Sequence, residues 1–402
     1  MSSYTFNASS GTTLTQTDVT NTLNGYSGNF NAIIGSGVTE IAADAFENQT
    51  DLLSVVISDS VTEIGNNAFD GTSAMTSCTL PNNNTDFKII PTRCFQSSGL
   101  TSITIPNSVT IIYTRAFNGC SSLETVDLGN SVVRIITSCF NSCSSLASIT
   151  IPDSLTDIYS FAFYNCSSLE TVNLGNGVKY LSSDSFERCS SLTSIIIPNS
   201  VLRIESSVFK KCSSLTSVTI GNSVTSIGSY CFLESGLTSI NIPTNIPTIN
   251  EQVFYMCSSL TSVTIPDSVT RIQDHAFEQC SSLTSISIPN SVTRIDDAAF
   301  KDCSALNDIT LHKYPGDSTS NTVIVLDGGS LSNGVYTTNA FDNIKDDVIF
   351  TIFTDETMTI SSTVSSNGST DAKYSYHIID GTTSIAADAF ENQTDLLSVV
   401  IS

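Results

Sequence analysis

The stretch FNSCSSLASITIPDSLTDIYSFA, Phe140 to Ala162, decides the fold. Ile149 and Ile151 alternate with Thr150, which is the period of a half-buried strand. Leu146 leads into that strand, and Pro152-Asp153 ends it. Proline presets the φ of a turn and cannot donate to a following ladder, while Asp tolerates turn geometry. Leu155 and Ile158 then predict a second short extended piece running back on the other side. Ala162-Phe163 turns the chain inward and starts the next unit.

The same phrase recurs along the chain. The register is set by Phe46, Phe69, Phe95, Phe117, Phe140, Phe163, Phe186, Phe209, Phe232, Phe254, Phe277 and Phe300, spaced 22 to 26 residues apart and mostly 23. Counting each Phe as position 0, apolar residues fall at positions 6, 9, 11, 15 and 18. A unit of about 23 residues cannot bury its own apolar face, so stability requires stacking on its neighbours. The expected architecture is a predominantly β solenoid of about twelve stacked units, with parallel strands on one face and short turns or helical pieces between them. A repeat array also escapes the usual arithmetic of domain number for 402 residues, because its core grows along one axis.

The phrases CSSLTSVTIPDSVTRIQDHAF (Cys257 to Phe277) and CSSLTSISIPNSVTRIDDAAF (Cys280 to Phe300) resemble the BspA-type leucine-rich repeat family. The resemblance covers about Val38 to Leu311. It implies a leucine-rich-repeat solenoid and a secreted or surface-displayed recognition protein, associated with adhesion. It supplies no catalytic residues, and the family's partners vary too widely to carry over.

Four segments are expected. Residues 1–36 form an N-terminal cap, with a short helix near TQTDVTNTL and a strand at FNAIIG. Residues 37–312 are the array, 313–380 a small β-rich insert or cap, and 381–402 the start of a second array. The last assignment rests on GTTSIAADAFENQTDLLSVVIS, which matches Gly37 to Ser58 at 20 of 22 positions. Two places break the period. Three residues are added near Asn82 to Thr85, and the units FQSSGL (Phe95 to Leu100) and FLESGL (Phe232 to Leu237) each lack one residue.

The formal net charge is -23, with only 15 Lys+Arg and no basic run. Phosphate backbones need clustered Lys and Arg, so nucleic acid is not an expected partner. No run of 18 apolar residues occurs and no secretory leader is legible, so membrane insertion by this chain is not expected.

Eight of the 12 Cys stand at position 3 of a unit, and the others occupy slots for small buried residues. They read as small buried hydrophobes. No zinc-like spacing, glycine-rich phosphate loop or convergent triad is visible. The three His, at 275, 312 and 377, lie in different parts of the chain. Neither a metal nor a cofactor is expected, and catalysis is not.

Two sets of residues are candidates for recognition. Positions 8 and 10 are the outward residues of the strands: Ser148, Thr150, Thr171, Asn173, Ser194, Ser217, Thr219, Ser239, Asn241, Ser262 and Thr264. Such a row suits a solvated parallel sheet and equally a recognition face, the surface that solenoids commonly use. Position 17 varies in chemistry, with Arg134, Asp157, Tyr180, Arg203, Arg271 and Arg294. The expected partner is another protein, with glycan or matrix as further classes. The alternative is a structural protein that self-associates end to end through its C-terminal half-unit, because heterologous contacts can build filaments.

Overall fold

A computed structural model describes residues 2–311 throughout and, beyond them, six strands between Val325 and Ile401. The chain divides into two compact units: Met1–Val201 with Lys211–Leu215, and Leu202–Lys210 with Thr216–Ser402. Each is a stretch of parallel β-solenoid.

The first unit opens with β1 (Ser2–Phe6), the helix α1 (Gln16–Leu23) and β2 (Phe30–Ile34). Thr15 caps α1, accepting from the Asp18 N–H while the Asp18 carboxylate accepts from the Thr15 N–H, a reciprocal capping box. Hydrogen bonds from Ser9 and Thr15 hold the Asp18 carboxyl down at about 2. Val19 packs at the buried face of the helix.

Next come the face strands β3 (Leu52–Val56) and β4 (Ser77–Thr79), which with β1 and β2 form one four-stranded parallel sheet. The face continues in β5 (Ser102–Thr104), paired to Thr125–Asp127 in register Ser102↔Thr125. Ser148–Thr150 then pairs with Thr171–Asn173. On the opposite side two-residue strands stack as a second parallel ladder, Ile90, Ile112, Ile135, Ile158 and Leu181 following one another in register with their side chains buried.

The second unit repeats this plan. Ser239–Asn241 pairs with Ser262–Thr264, and Ser285–Ile288 with β6 (Asp308–Leu311). Its return strands run Thr248–Ile249, Arg271–Ile272, Arg294–Ile295 and Val325–Leu326. The face sheet extends past β6 through β7 (Val348–Phe353), β8 (Tyr374–Ile379) and β9 (Leu396–Ile401), all parallel. Parallel pairing thus carries on beyond Leu311, where the regular sequence period ends. The only antiparallel pair described there joins Ser330–Ser332 to Val335–Thr337. Most of 313–380 and 381–402 lies outside the described residues.

The phenylalanines of each unit form a column. Ring centroids of Phe117, Phe140, Phe163 and Phe186 are 5.2, 5.4 and 5.2 Å apart, with planes within 7° of parallel. Phe232, Phe254, Phe277 and Phe300 stack likewise, at 5.7, 5.1 and 5.0 Å. Centroid spacings above van der Waals thickness mean offset stacking, the arrangement that ring quadrupoles favour.

The turn carrying each Phe holds left-handed residues two before and two after it, such as Ser138 (φ 57) and Ser142 (φ 60) around Phe140. A row of N–H groups then faces the next turn: Ser138 donates to Ser160, Phe140 to Ala162 and Ser142 to Tyr164, at 3.0, 2.8 and 2.8 Å. Most of these left-handed positions hold residues with a Cβ, so the inter-turn hydrogen bonds compensate local strain.

Position 3 differs from the reading of a purely apolar slot. Cys143, Cys166 and Cys189 each donate the thiol to the Phe carbonyl of the preceding turn, at 3.2, 3.2 and 3.3 Å. After Phe69, Phe95 and Phe232 a hydroxyl takes the slot, as buried Thr72, Ser98 and Ser235, and after Phe46 it is Gln49. The slot suits a small donor: each Phe carbonyl that takes a thiol also accepts the position 3 N–H of its own turn, and the thiol adds a second bond to it from the next turn. All twelve Cys are free.

Candidate functional site

The alternation of inward apolar and outward polar residues builds the exposed strand face. Ile149 and Val172 are buried, while Ser148, Thr150, Thr171 and Asn173 around them are exposed. Ser194 in the first unit is exposed as well. In the second unit Ser217, Thr219, Ser239, Asn241, Ser262 and Thr264 are exposed by the same alternation. Each unit therefore presents a flat band of hydroxyl and amide side chains on a backbone fixed from beneath. Two apolar residues interrupt the band, Val56 at 47% exposure and Ile196 at 69%.

The position 17 residues sit at the starts of the return strands, on the other side of each turn. Arg134, Tyr180 and Arg203 are exposed, whereas Asp157, Arg271 and Arg294 are half-buried. Two of these six converge. Arg271 reaches the Asp296 carboxylate through Nε and Nη2, both at 2.6 Å, and Arg294 Nε reaches its other oxygen at 2.5 Å. Asp296 is only 1% exposed, so the two guanidinium groups satisfy a carboxylate that the return strand would otherwise bury unpaired.

A feature not read from the sequence is a cleft of about 320 Å³ between β4 and β5, lined by Ser77, Thr79, Ser102, Thr104, Asn82 and Pro106 among others. These two strands are not paired to each other. The signal was the added residues before Phe95, which Asp59 anchors by accepting from the Asn82 and Asn83 N–H groups and from Asn83 Nδ2. Those hydrogen bonds, led by the Asn83 side chain, hold the Asp59 carboxyl below its ordinary value.

The remaining titratable groups belong to packing. His275 Nδ1 bonds the Glu278 carboxylate, whose other oxygen lies 3.8 Å from Lys301 Nζ. His312 and the side chain of His377 lie outside the described residues. Burial pushes the Cys120 thiol up to about 11 and those of Cys166, Cys212, Cys257 and Cys303 to about 12, far from the thiolate a nucleophile needs. Among the described residues no three His, Cys, Asp or Glu side chains converge as metal ligands, and no helix is long and apolar enough to cross a membrane.

The chain matches the BspA type leucine rich repeat region in six copies, over residues 20–89, 88–215 and 180–307. Among solved structures, a leucine-rich repeat protein from Bacteroides ovatus is 32% identical, covering 81% of this chain and 78% of that one with a TM-score of 0.66. A leucine rich cell surface protein from Faecalibacterium prausnitzii is 28% identical over 73% of this chain and 89% of its own, with a TM-score of 0.39. A leucine-rich repeat protein from Eubacterium ventriosum is 25% identical over 72% and 86%, at 0.46. Only the first of the three superposes closely enough to bear on structure. No curated protein matches the chain.

Proposed function

This chain belongs to the BspA-type leucine-rich repeat family, and we propose that it is a non-catalytic scaffold, displayed at the cell surface, that binds another protein through its exposed strand face. The observation that carries this reading is the band at positions 8 and 10. Its side chains are short and exposed, and their inward neighbours are buried or, as at Val263, half-buried. Short side chains lose little rotamer entropy on contact, so a partner ordered against them meets a preorganised surface. Ile196 and Val56 add apolar anchors within the band. The net charge of -23 disfavours polyanionic partners.

The test presents the purified chain to immobilised extracellular, matrix and glycosylated proteins. Binding should saturate, and Ser148→Arg with Thr171→Arg should abolish it while Arg134→Ser on the return side leaves it unchanged. Absence of saturable binding, or binding indifferent to the face substitutions, would contradict the proposal.

A further inference from the structure

The unit from Phe69 to Phe95 is three residues longer than the usual 23, and the surplus follows β4 directly. It is tied back to the preceding turn. Asn84 Nδ2 donates to the Asp59 and Val61 carbonyls, both at 2.9 Å, and the Asn82 and Asn83 N–H groups donate to the Asp59 carboxylate. β4 is thus fastened on the side of β3, with Val55↔Cys78 and Val56↔Thr79 in register, and the cleft of about 320 Å³ opens on the side of β5.

The cleft leaves backbone groups unsatisfied. Along a parallel strand these groups point alternately to one neighbour and to the other. Ile57 N–H donates to the Thr79 carbonyl, so Thr79 faces β3 and Leu80 faces β5. Residues at the place of Leu80 in other turns donate forward: Ile57 to Thr79, Ile105 to Asp127 and Ile151 to Asn173, at 2.9, 2.8 and 2.8 Å. Neither the N–H nor the carbonyl of Leu80 has a partner among the described residues. In the register of the other turns the carbonyl would meet residue 106, which is Pro and has no N–H to give. Leu80 is only 4% exposed, and buried backbone groups are nearly always paired. A donor and an acceptor therefore wait together at the floor of the cleft.

The walls narrow the chemistry of what would pair them. Ser77, Thr79, Ser102 and Thr104 contribute exposed hydroxyls, none bonded to another protein group among the described residues. Ile103 and Pro106 supply buried apolar surface. No Lys, Arg, His, Asp or Glu lines the cleft, and the charge behind Asn82 is the Asp59 carboxylate. An anion would meet no cation there and one carboxylate. A fitting ligand is uncharged, has an apolar side, and carries groups that donate and accept at once, as a hydroxyl does. A sugar ring has hydroxyls around its edge and C–H groups on its faces. At roughly 30 Å³ per water the cleft has room for about ten waters, or for one such ring.

We propose that the cleft between β4 and β5 binds a single uncharged hexose ring, whose hydroxyls bridge the Leu80 backbone groups and the Thr79 and Thr104 side chains. The site stands apart from the protein-binding reading of the band, whose test substitutions at Ser148 and Thr171 lie in later turns.

The experiment titrates the full chain with the methyl glycosides of glucose, galactose and mannose, following the Leu80 amide in proton–nitrogen correlation spectra. No protein partner is present, so its outcome is read separately from that of the strand-face test. At least one glycoside should saturate with a dissociation constant on the order of 1 mM, the reach of one sugar ring at ordinary ligand efficiency, and should shift the Leu80 amide. Methyl glucuronide at neutral pH should bind at least tenfold more weakly. Thr79→Val with Thr104→Val, which keeps the β-branched shape and removes the hydroxyls, should weaken binding at least tenfold with an unchanged unfolding midpoint. Thr62→Val on the return side should leave it unchanged. No saturable binding by any of the three glycosides, a glucuronide that binds as tightly, binding untouched by the double substitution, or saturation that leaves the Leu80 amide unmoved would overturn the proposal. Saturation by N-acetylserine amide in place of the sugars would assign the cleft to a peptide and overturn it equally.

Discussion

At the scale of the residue, the repeat is held by a few side chains with distinct tasks. Phe140 contacts a ring on either side, so Phe140→Ala should lower stability by about 3–5 kcal/mol, as large core truncations do. Ser148→Ala on the exposed face should change it by less than about 0.5 kcal/mol. Urea unfolding followed by circular dichroism checks both. The position 3 thiol is a donor first and an apolar group second. Cys166→Ser should therefore be tolerated, as Ser98 and Ser235 already are. Cys166→Val should cost about 1–3 kcal/mol, because it overfills the slot and removes the thiol's bond to the Phe140 carbonyl, which keeps only the Cys143 N–H. Left-handed positions give the opposite sign. Arg115 has a φ of 58° and is exposed, so Arg115→Gly should stabilise the chain by on the order of 1 kcal/mol, whereas Arg115→Val should destabilise it.

At the scale of the element, what the sequence reveals depends on how a strand is marked. The face strands and return strands of the array are legible because one large ring per turn fixes the register, and the outward candidates at positions 8 and 10 follow from it. Helix α1 is legible from its capping residues, and Thr15→Ala should loosen it by about 1 kcal/mol, read as faster proteolysis near Gln16. β1 is not legible, because SSYTF precedes the first regular Phe and carries no turn signal. The cleft between β4 and β5 escapes for a related reason. The insertion predicts a bulge near Asn82, but where neighbouring strands part depends on backbone pairing that the letters do not encode. The clamp of Arg271 and Arg294 on Asp296 is hidden similarly, since the three residues are brought together by the stacking of turns.

At the scale of the whole molecule, the stacked thiols make stability sensitive to base. Their unfolded value is near 9.0, and burial raises them to about 11 for Cys120 and about 12 for Cys166, Cys212, Cys257 and Cys303. The protonated thiol is thus favoured in the folded chain. Its contribution is complete below pH 9 and is lost as pH rises toward the folded values, at about 1.4 kcal/mol per thiol per pH unit. Thermal melts between pH 8 and 11 should show a steep fall that Cys→Ser variants shallow. The account as a whole rests on consecutive units stacking as turns that share one core, and on the outward residues forming one regular band. Nitroxides placed through a non-canonical amino acid at Val56 and Thr150, and at Val56 and Ile196, test that directly by pulsed electron spin resonance within the first unit. Four turns should separate the first pair by at least about 19 Å, the β4–β5 step being opened by the cleft, and two further turns should lengthen the second by about 10 Å, one strand spacing for each. Separations that fail to lengthen with added turns, or that follow the long sequence intervals instead, would contradict it.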